Sequence, residues 1–104
     1  MQSMQAPKLC AYLENSRPLL IDVREPWEFE ICHLPGSVNI PMGQIAQHLE
    51  TIRAEQECVM ICHHGVRSMQ VIEYLQQQDI QHMINLEGGV DAWAREVDKN
   101  MPLY

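Results

Sequence analysis

Two short apolar runs constrain the fold of this chain more than any other feature. They are Leu19–Val23 and Cys58–Cys62, and each is almost free of polar residues, with Asp22 near the end of the first. Continuous runs of this kind are typical of strands that are buried on both faces of a sheet. Because segments with helical spacing lie before, between and after the two runs, the sequence predicts an α/β domain with a mostly parallel sheet.

The rest of the chain alternates between helical and extended patterns. We predict helices over 7–15, 25–30, 42–53, 68–78 and about 90–97, and further strands over 38–40 and 82–86. Ser68 is the predicted N-cap of the fourth helix. We expect one domain over 1–104, with its core at about 6–104 and its ligands at the carboxyl ends of the strands.

The charge of the chain limits its partners. A formal net charge of −7 over 104 residues argues against nucleic acid and against an anionic membrane surface, because both require a basic face. The apolar runs are far shorter than the ~18 residues of a membrane span, and the first residues do not resemble a signal peptide. We therefore expect a cytoplasmic protein whose four cysteines are reduced.

The residues that follow Cys62 in the sequence indicate more about function than any other segment. Cys62 ends an apolar run and is followed by His63, His64, Gly65, Val66, Arg67 and Ser68, where a helix is predicted to begin. Backbone N–H groups in such a loop, together with the helix dipole, favour a thiolate and bind anions. Arg67 adds a positive charge, and no carboxylate lies within 62–68, so the sequence predicts a small positive pocket on an acidic body.

The segment 62–68 resembles the active-site loop of the rhodanese sulfurtransferases, which has cysteine, four variable residues, arginine, and serine or threonine. Three further segments resemble motifs of the same family in the same order: Leu20–Glu25 with Glu28 and Phe29, His33–Pro41, and Asn85–Gly89 with Trp93. Cys32 departs from the family pattern, which has glycine before the histidine of the second motif. The resemblance implies a three-layer rhodanese domain.

The resemblance also implies an activity. Cys62 would take a sulfane sulfur from a small anionic donor such as thiosulfate and pass the resulting persulfide sulfur to cyanide, a thiol or a thioredoxin-like protein. The substrate would be bound by the loop residues His63, His64, Gly65, Val66, Arg67 and Ser68. Asp22 and Arg24 would support the site, and no cofactor or metal is implied.

Several alternatives remain open at this stage. A non-catalytic rhodanese-like binding module would commonly lack the cysteine, and a cysteine phosphatase or arsenate reductase would have five residues rather than four between cysteine and arginine. Zinc bound jointly by Cys58 and Cys62 is disfavoured, because residues four apart on a strand are separated by about 13 Å. Cys32 is either a tolerated small residue or a second thiol that resolves the persulfide.

Overall fold

The structure is a computed structural model and describes residues 2–104. Five parallel strands form one sheet in the order β1-β5-β4-β2-β3. Their bounds are β1, Gln2–Gln5; β2, Leu19–Asp22; β3, Val38–Asn39; β4, Cys58–Ile61; and β5, Met83–Glu87. The predicted α/β class is confirmed, and the sheet is wholly parallel rather than mostly so.

Helices cover both faces of this sheet. They are α1, Ala6–Tyr12; α2, Pro26–Ile31; α3, Leu49–Ala54; α4, Val66–Gln77; and α5, Gly89–Glu96, with a 3₁₀ segment over Met42–His48. The prediction of one continuous helix over 42–53 is therefore wrong, because this segment contains a 3₁₀ segment followed by an α-helix. His48, with φ −120° and ψ 18°, separates the 3₁₀ turn from α3. None of the helices within residues 2–104 has both the length and the apolar character needed to cross a membrane.

Successive side chains of a strand point to opposite faces of the sheet, so the hydrophobic core has two parts. One face carries Val59 and Ile61 of β4, packed with side chains from α1 and α5. The other face carries Met60 and Cys62, packed with side chains from α3 and α4. Every residue of β4 is buried, as its continuous apolar run predicts.

Strand β1 was not predicted. Its four residues are polar or partly exposed, yet they pair in parallel with Ile84 to Glu87 of β5 at the edge of the sheet. Residues 2–5, which precede the predicted core at about 6–104, thus form an edge strand. An edge strand buries little side-chain surface, so it lacks the apolar run by which the central strands are recognised.

The order of the strands locates the site. After β2 the chain crosses to β3 on one side, and β4 then lies on the other side of β2. In open parallel sheets, the crevice at such a reversal, beyond the carboxyl ends of the strands, is where ligands bind. Cys62 follows β4 there and Val23 follows β2, with its N–H donating to the carbonyl of Ile61 (2.9 Å).

Candidate active site

Cys62 lies at the carboxyl end of β4 and is buried, with 1% of its surface exposed. The backbone N–H of Gly65 donates to its sulfur at 3.0 Å. Gly65 adopts φ +99° immediately before α4 begins at Val66, a conformation that favours glycine. The loop therefore turns back over the sulfur and directs a backbone donor and the start of a helix toward it.

Ser68 is not the N-cap of α4, contrary to prediction. The helix begins two residues earlier, and Ser68 lies within its first turn with a fully buried side chain. Its Oγ is 3.2 Å from the sulfur of Cys62 and donates to Oδ1 of Asn85 in β5. Asn85 in turn donates from Nδ2 to the carbonyl of Gly65 (3.2 Å), so it fixes both the hydroxyl and the loop.

The start of α5 packs directly on the backbone of the loop. The N–H groups of Val90 and Asp91 donate to the carbonyls of Cys62 (2.9 Å) and His63 (3.1 Å). Gly89 allows this approach, because a Cβ there would lie 2.3 Å from the carbonyl oxygen of Cys62. The absence of a side chain at Gly89 thus allows the start of α5 to pack against the loop.

Arg67 is held by a carboxylate from a different element. Its Nη1 and Nη2 donate to the two carboxylate oxygens of Glu28 in α2, at 2.7 and 2.8 Å. These hydrogen bonds lower the pKa of Glu28 to about 2, although burial of the carboxyl acts to raise it. The prediction of a positive pocket, based on the absence of carboxylates within 62–68, therefore needs correction, because Glu28 neutralises much of the Arg67 charge.

Tyr104 joins Glu28 to a second arginine. Its hydroxyl donates to Oε2 of Glu28 (2.8 Å) and accepts from Nη1 of Arg24 (2.7 Å). Burial raises the pKa of Tyr104 to about 12. Its ring stacks on that of His63, with centroids 3.9 Å apart. A residue far along the chain thus lies over the loop and completes its charge network.

Asp22 and Arg24, the predicted supporting residues, form a fully buried ion pair at 2.7 Å. The guanidinium also donates to the backbone carbonyls of Glu28 (3.3 Å) and Cys32 (2.6 Å). Burial opposes the charge of Arg24, but hydrogen bonds with Asp22 and Tyr104 outweigh it and raise the pKa. The pair therefore links the end of β2 to the first turn and the C-cap of α2.

His63 and His64 stack on each other, with ring centroids 3.9 Å apart. Burial, followed by the neighbouring His64, lowers the pKa of His63 from its usual range. His64 and Val66 are exposed, so these two members of the predicted substrate-binding set lie at the surface of the loop. The structure thus brings together all the residues predicted from 62 to 68, with Arg67 turned toward α2.

The other cysteines have different surroundings. Burial raises the pKa of Cys58 to about 12, which keeps that thiol protonated at neutral pH. Cys32 packs in the core on one face of the sheet, whereas Cys62 packs on the opposite face. This separation argues against direct resolution of Cys62 by Cys32 and supports the tolerated-residue interpretation.

Three site residues had no role in the sequence prediction: Glu28 as the partner of Arg67, Asn85, and Tyr104. Asn85 carried a usable signal, since it is a polar residue inside an apolar strand. Glu28 carried a signal for the start of α2, through its capping box with Glu25, but none for its pairing with Arg67. Tyr104 carried none, because its contacts join residues that are distant in sequence.

Acid should weaken the Glu28–Arg67 contact in a defined range. A folded-state pKa near 2, against an ordinary 4.5, stabilises the fold above about pH 4.5 and loses that effect as pH falls toward 2. At neutral pH the shift corresponds to at most about 3.4 kcal/mol, and solvent screening of the partly exposed Arg67 reduces this to about 2 kcal/mol. Glu28→Gln should therefore lower the free energy of unfolding at pH 7 and have much less effect near pH 2, as measured by urea titration. Glu30→Gln, exposed on the same helix, is the control, and equal effects of both variants at pH 7 would contradict the assignment.

The fold and the loop together define a known class of domain. Residues 5–96 match the model of the rhodanese-like domain family. Since this match covers most of the chain, the protein belongs to the rhodanese-like domain family.

Individual proteins agree with this assignment. The chain is 44% identical over 77 residues to YtwF of Bacillus subtilis, covering 74% of each protein. It is 38% identical over 102 residues to the adenylyltransferase and sulfurtransferase MOCS3 of Drosophila virilis, covering 88% of this chain and 22% of that protein. The crystal structure of a rhodanese-like domain protein from Staphylococcus aureus matches with a TM-score of 0.83 and 31% identity, over 100% of this chain and 99% of that one. The chain thus spans about a fifth of the length of the MOCS3 relative.

Proposed function

We propose that the chain is a sulfurtransferase that carries sulfane sulfur as a persulfide on Cys62. The observation that carries the proposal is the position of the Cys62 sulfur, which accepts the N–H of Gly65 at 3.0 Å before the start of α4. A backbone donor and a helix start favour negative charge on sulfur. Both the attacking thiolate and the persulfide anion carry that charge.

The reaction has two covalent steps. The Cys62 thiolate attacks the outer sulfur of thiosulfate, a sulfur–sulfur bond forms, and the original sulfur–sulfur bond breaks so that sulfite leaves with its electron pair. Cyanide or a thiolate then attacks the terminal sulfur, and Cys62 leaves as the thiolate. No net change in the enzyme results, and ping-pong kinetics follow.

Ser68 and Asn85 provide a hydrogen bond that can change direction with the charge of sulfur. With a protonated Cys62, the thiol can donate to Ser68, which donates to Asn85. With a thiolate or persulfide, the single hydroxyl proton of Ser68 can rotate to the sulfur instead. This arrangement stabilises the anion without any movement of the backbone.

Arg67 would contact the sulfonate of the donor while keeping its partner. The contact with Glu28 uses two of the five N–H donors of a guanidinium. Three remain, which is sufficient for a sulfonate oxygen at the rim of the loop. We propose this role for Arg67 and a thiol or a thioredoxin-like protein as the physiological acceptor.

Four residues separate Cys62 from Arg67, and within this short loop the N–H of Gly65 lies 3.0 Å from the Cys62 sulfur. A loop of this length favours sulfur over a tetrahedral phosphate as the group transferred. It supports the sulfurtransferase proposal over a phosphatase.

Mass spectrometry of the intact, reduced protein after incubation with thiosulfate tests the proposal. The expected result is one added sulfur atom per chain, removed by cyanide and mapped to the Cys62 peptide. Cys58→Ala should still gain the sulfur, because that thiol is buried and protonated. Absence of an adduct on Cys62 would contradict the mechanism and favour a non-catalytic binding module.

A further inference from the structure

A cluster of potential metal ligands lies beside the Cys62 loop. Ring nitrogens of His63 and His64 and a carboxylate oxygen of Asp91 all lie within 4.8 Å of one another. His63 and His64 belong to the loop, whereas Asp91 belongs to the first turn of α5. The cluster therefore joins two elements at the mouth of the site.

The backbone fixes these residues in place. Asp91 donates its N–H to the carbonyl of His63 at 3.1 Å, and the missing side chain of Gly89 allows the close approach. The ring of His63 is held between those of Tyr104 and His64. These contacts fix the backbone of Asp91 and the ring of His63, whereas the exposed ring of His64 can rotate out of its stack with His63.

His63 also has an uncommitted nitrogen. Its Nε2 is buried and has no hydrogen-bond partner among residues 2–104. A buried polar atom in this state is uncommon in folded proteins and indicates an additional partner such as a water or an ion. Asp91 pairs with Arg95 at 3.0 Å, but an exposed pair of this kind contributes little to stability and can be exchanged at low cost.

We propose that His63, His64 and Asp91 bind one divalent transition metal ion of the zinc class. Two imidazoles and a carboxylate form a ligand set that zinc accepts, with a fourth position left for water. Tetrahedral zinc needs neighbouring ligand atoms about 3.4 Å apart, from bond lengths near 2.1 Å. Rotation of the exposed His64 side chain can bring the present spacing of up to 4.8 Å to that value.

This site includes neither Cys58 nor Cys62 and needs no sulfur transfer to form, although His63 and His64 also belong to the predicted substrate-binding loop. Bound metal would tie the loop after Cys62 to α5. It would also make the stability of the fold depend on metal concentration, because an ion that binds only the folded state stabilises it.

Isothermal titration of Zn²⁺ into the full chain carrying Cys62→Ser tests the proposal, because that background removes the nearest thiol. We expect one ion per chain, and affinity at least about tenfold weaker when His64→Ala or Asp91→Asn is added. His48→Ala, a histidine on the 3₁₀ segment, is the matched control and should bind as the parent does. His64 is exposed, and asparagine is isosteric with aspartate, so neither change should prevent folding; circular dichroism checks this.

The absorption spectrum of the Co²⁺ form supplies a second measurement. Binding by nitrogen and oxygen alone should give ligand-field bands without sulfur-to-metal charge transfer. Absence of Zn²⁺ binding, equal affinity in all the variants, or a charge-transfer band from thiolate would each overturn the proposal. None of these outcomes depends on whether Cys62 forms a persulfide.

Discussion

Replacement of Cys62 by serine should reduce transfer of sulfur from thiosulfate to cyanide by at least about 1,000-fold, because a hydroxyl at neutral pH is a poor nucleophile toward sulfur. The Cys62 side chain is the one that receives the Gly65 N–H and the Ser68 hydroxyl. Thiocyanate formation gives the rate directly. The fold should be retained, since serine has a similar size, so a normal unfolding transition is expected beside the lost activity.

The matched control for this result is Cys58→Ala. Cys58 lies on the same strand and packs on the same face as Cys62, but its buried thiol has a pKa of about 12. Activity should therefore be largely kept. If Cys62→Ser retained more than a tenth of the parent rate, or if Cys58→Ala abolished it, the nucleophile assigned above would be wrong.

Gly89→Ala should have the largest effect on stability. A Cβ at Gly89 would lie 2.3 Å from the carbonyl oxygen of Cys62 and 2.4 Å from that of His63, and both of those atoms are backbone. The residue also has φ +60°, where alanine is strained. Because neither contact can be relieved by moving a side chain, we expect a loss of about 3 kcal/mol or more in the free energy of unfolding.

Urea unfolding measures this loss, and Gly43→Ala is its control. A Cβ at Gly43 would meet no atom within 4 Å, so that substitution should change stability little. Gly89→Ala should also lower the rate of sulfur transfer in the fraction that remains folded, since α5 must move away from the loop. Equal stabilities of the two variants would show that the start of α5 can move away from the loop without lowering the free energy of unfolding, and would contradict the prediction.

The two central strands could be predicted because an almost unbroken run of apolar residues indicates burial on both faces. Cys58–Cys62 is apolar at every position and Leu19–Val23 at every position except Asp22, as expected of strands covered on both faces. Strand β1 could not be predicted in this way, since it lies at the edge with mostly exposed side chains. The division of 42–54 into two helical types depends on local backbone angles that apolar spacing does not encode.

The nucleophile and its loop could likewise be proposed from contiguous residues, but the surroundings of Arg67 could not. Glu28 reaches Arg67 from a helix that is 39 residues away in sequence, and this contact changes the local charge. No pattern within 62–68 contains that information. The prediction of Ser68 as an N-cap was wrong for a related reason, because its hydroxyl donates to Asn85 of β5, which lies 17 residues further along the chain.

The contacts of Tyr104 have a consequence for how the site assembles. Its hydroxyl joins Arg24 and Glu28 across sequence separations of 80 and 76 residues. Closing such long loops costs conformational entropy, so these contacts persist only while both ends of the chain that they join stay ordered. The Glu28–Arg67 pair needs no residue near 104, whereas the part of the charge network that includes Arg24 does. The same separation makes that part of the network sensitive to local opening of residues near 104, even while the sheet and the Cys62 loop stay intact.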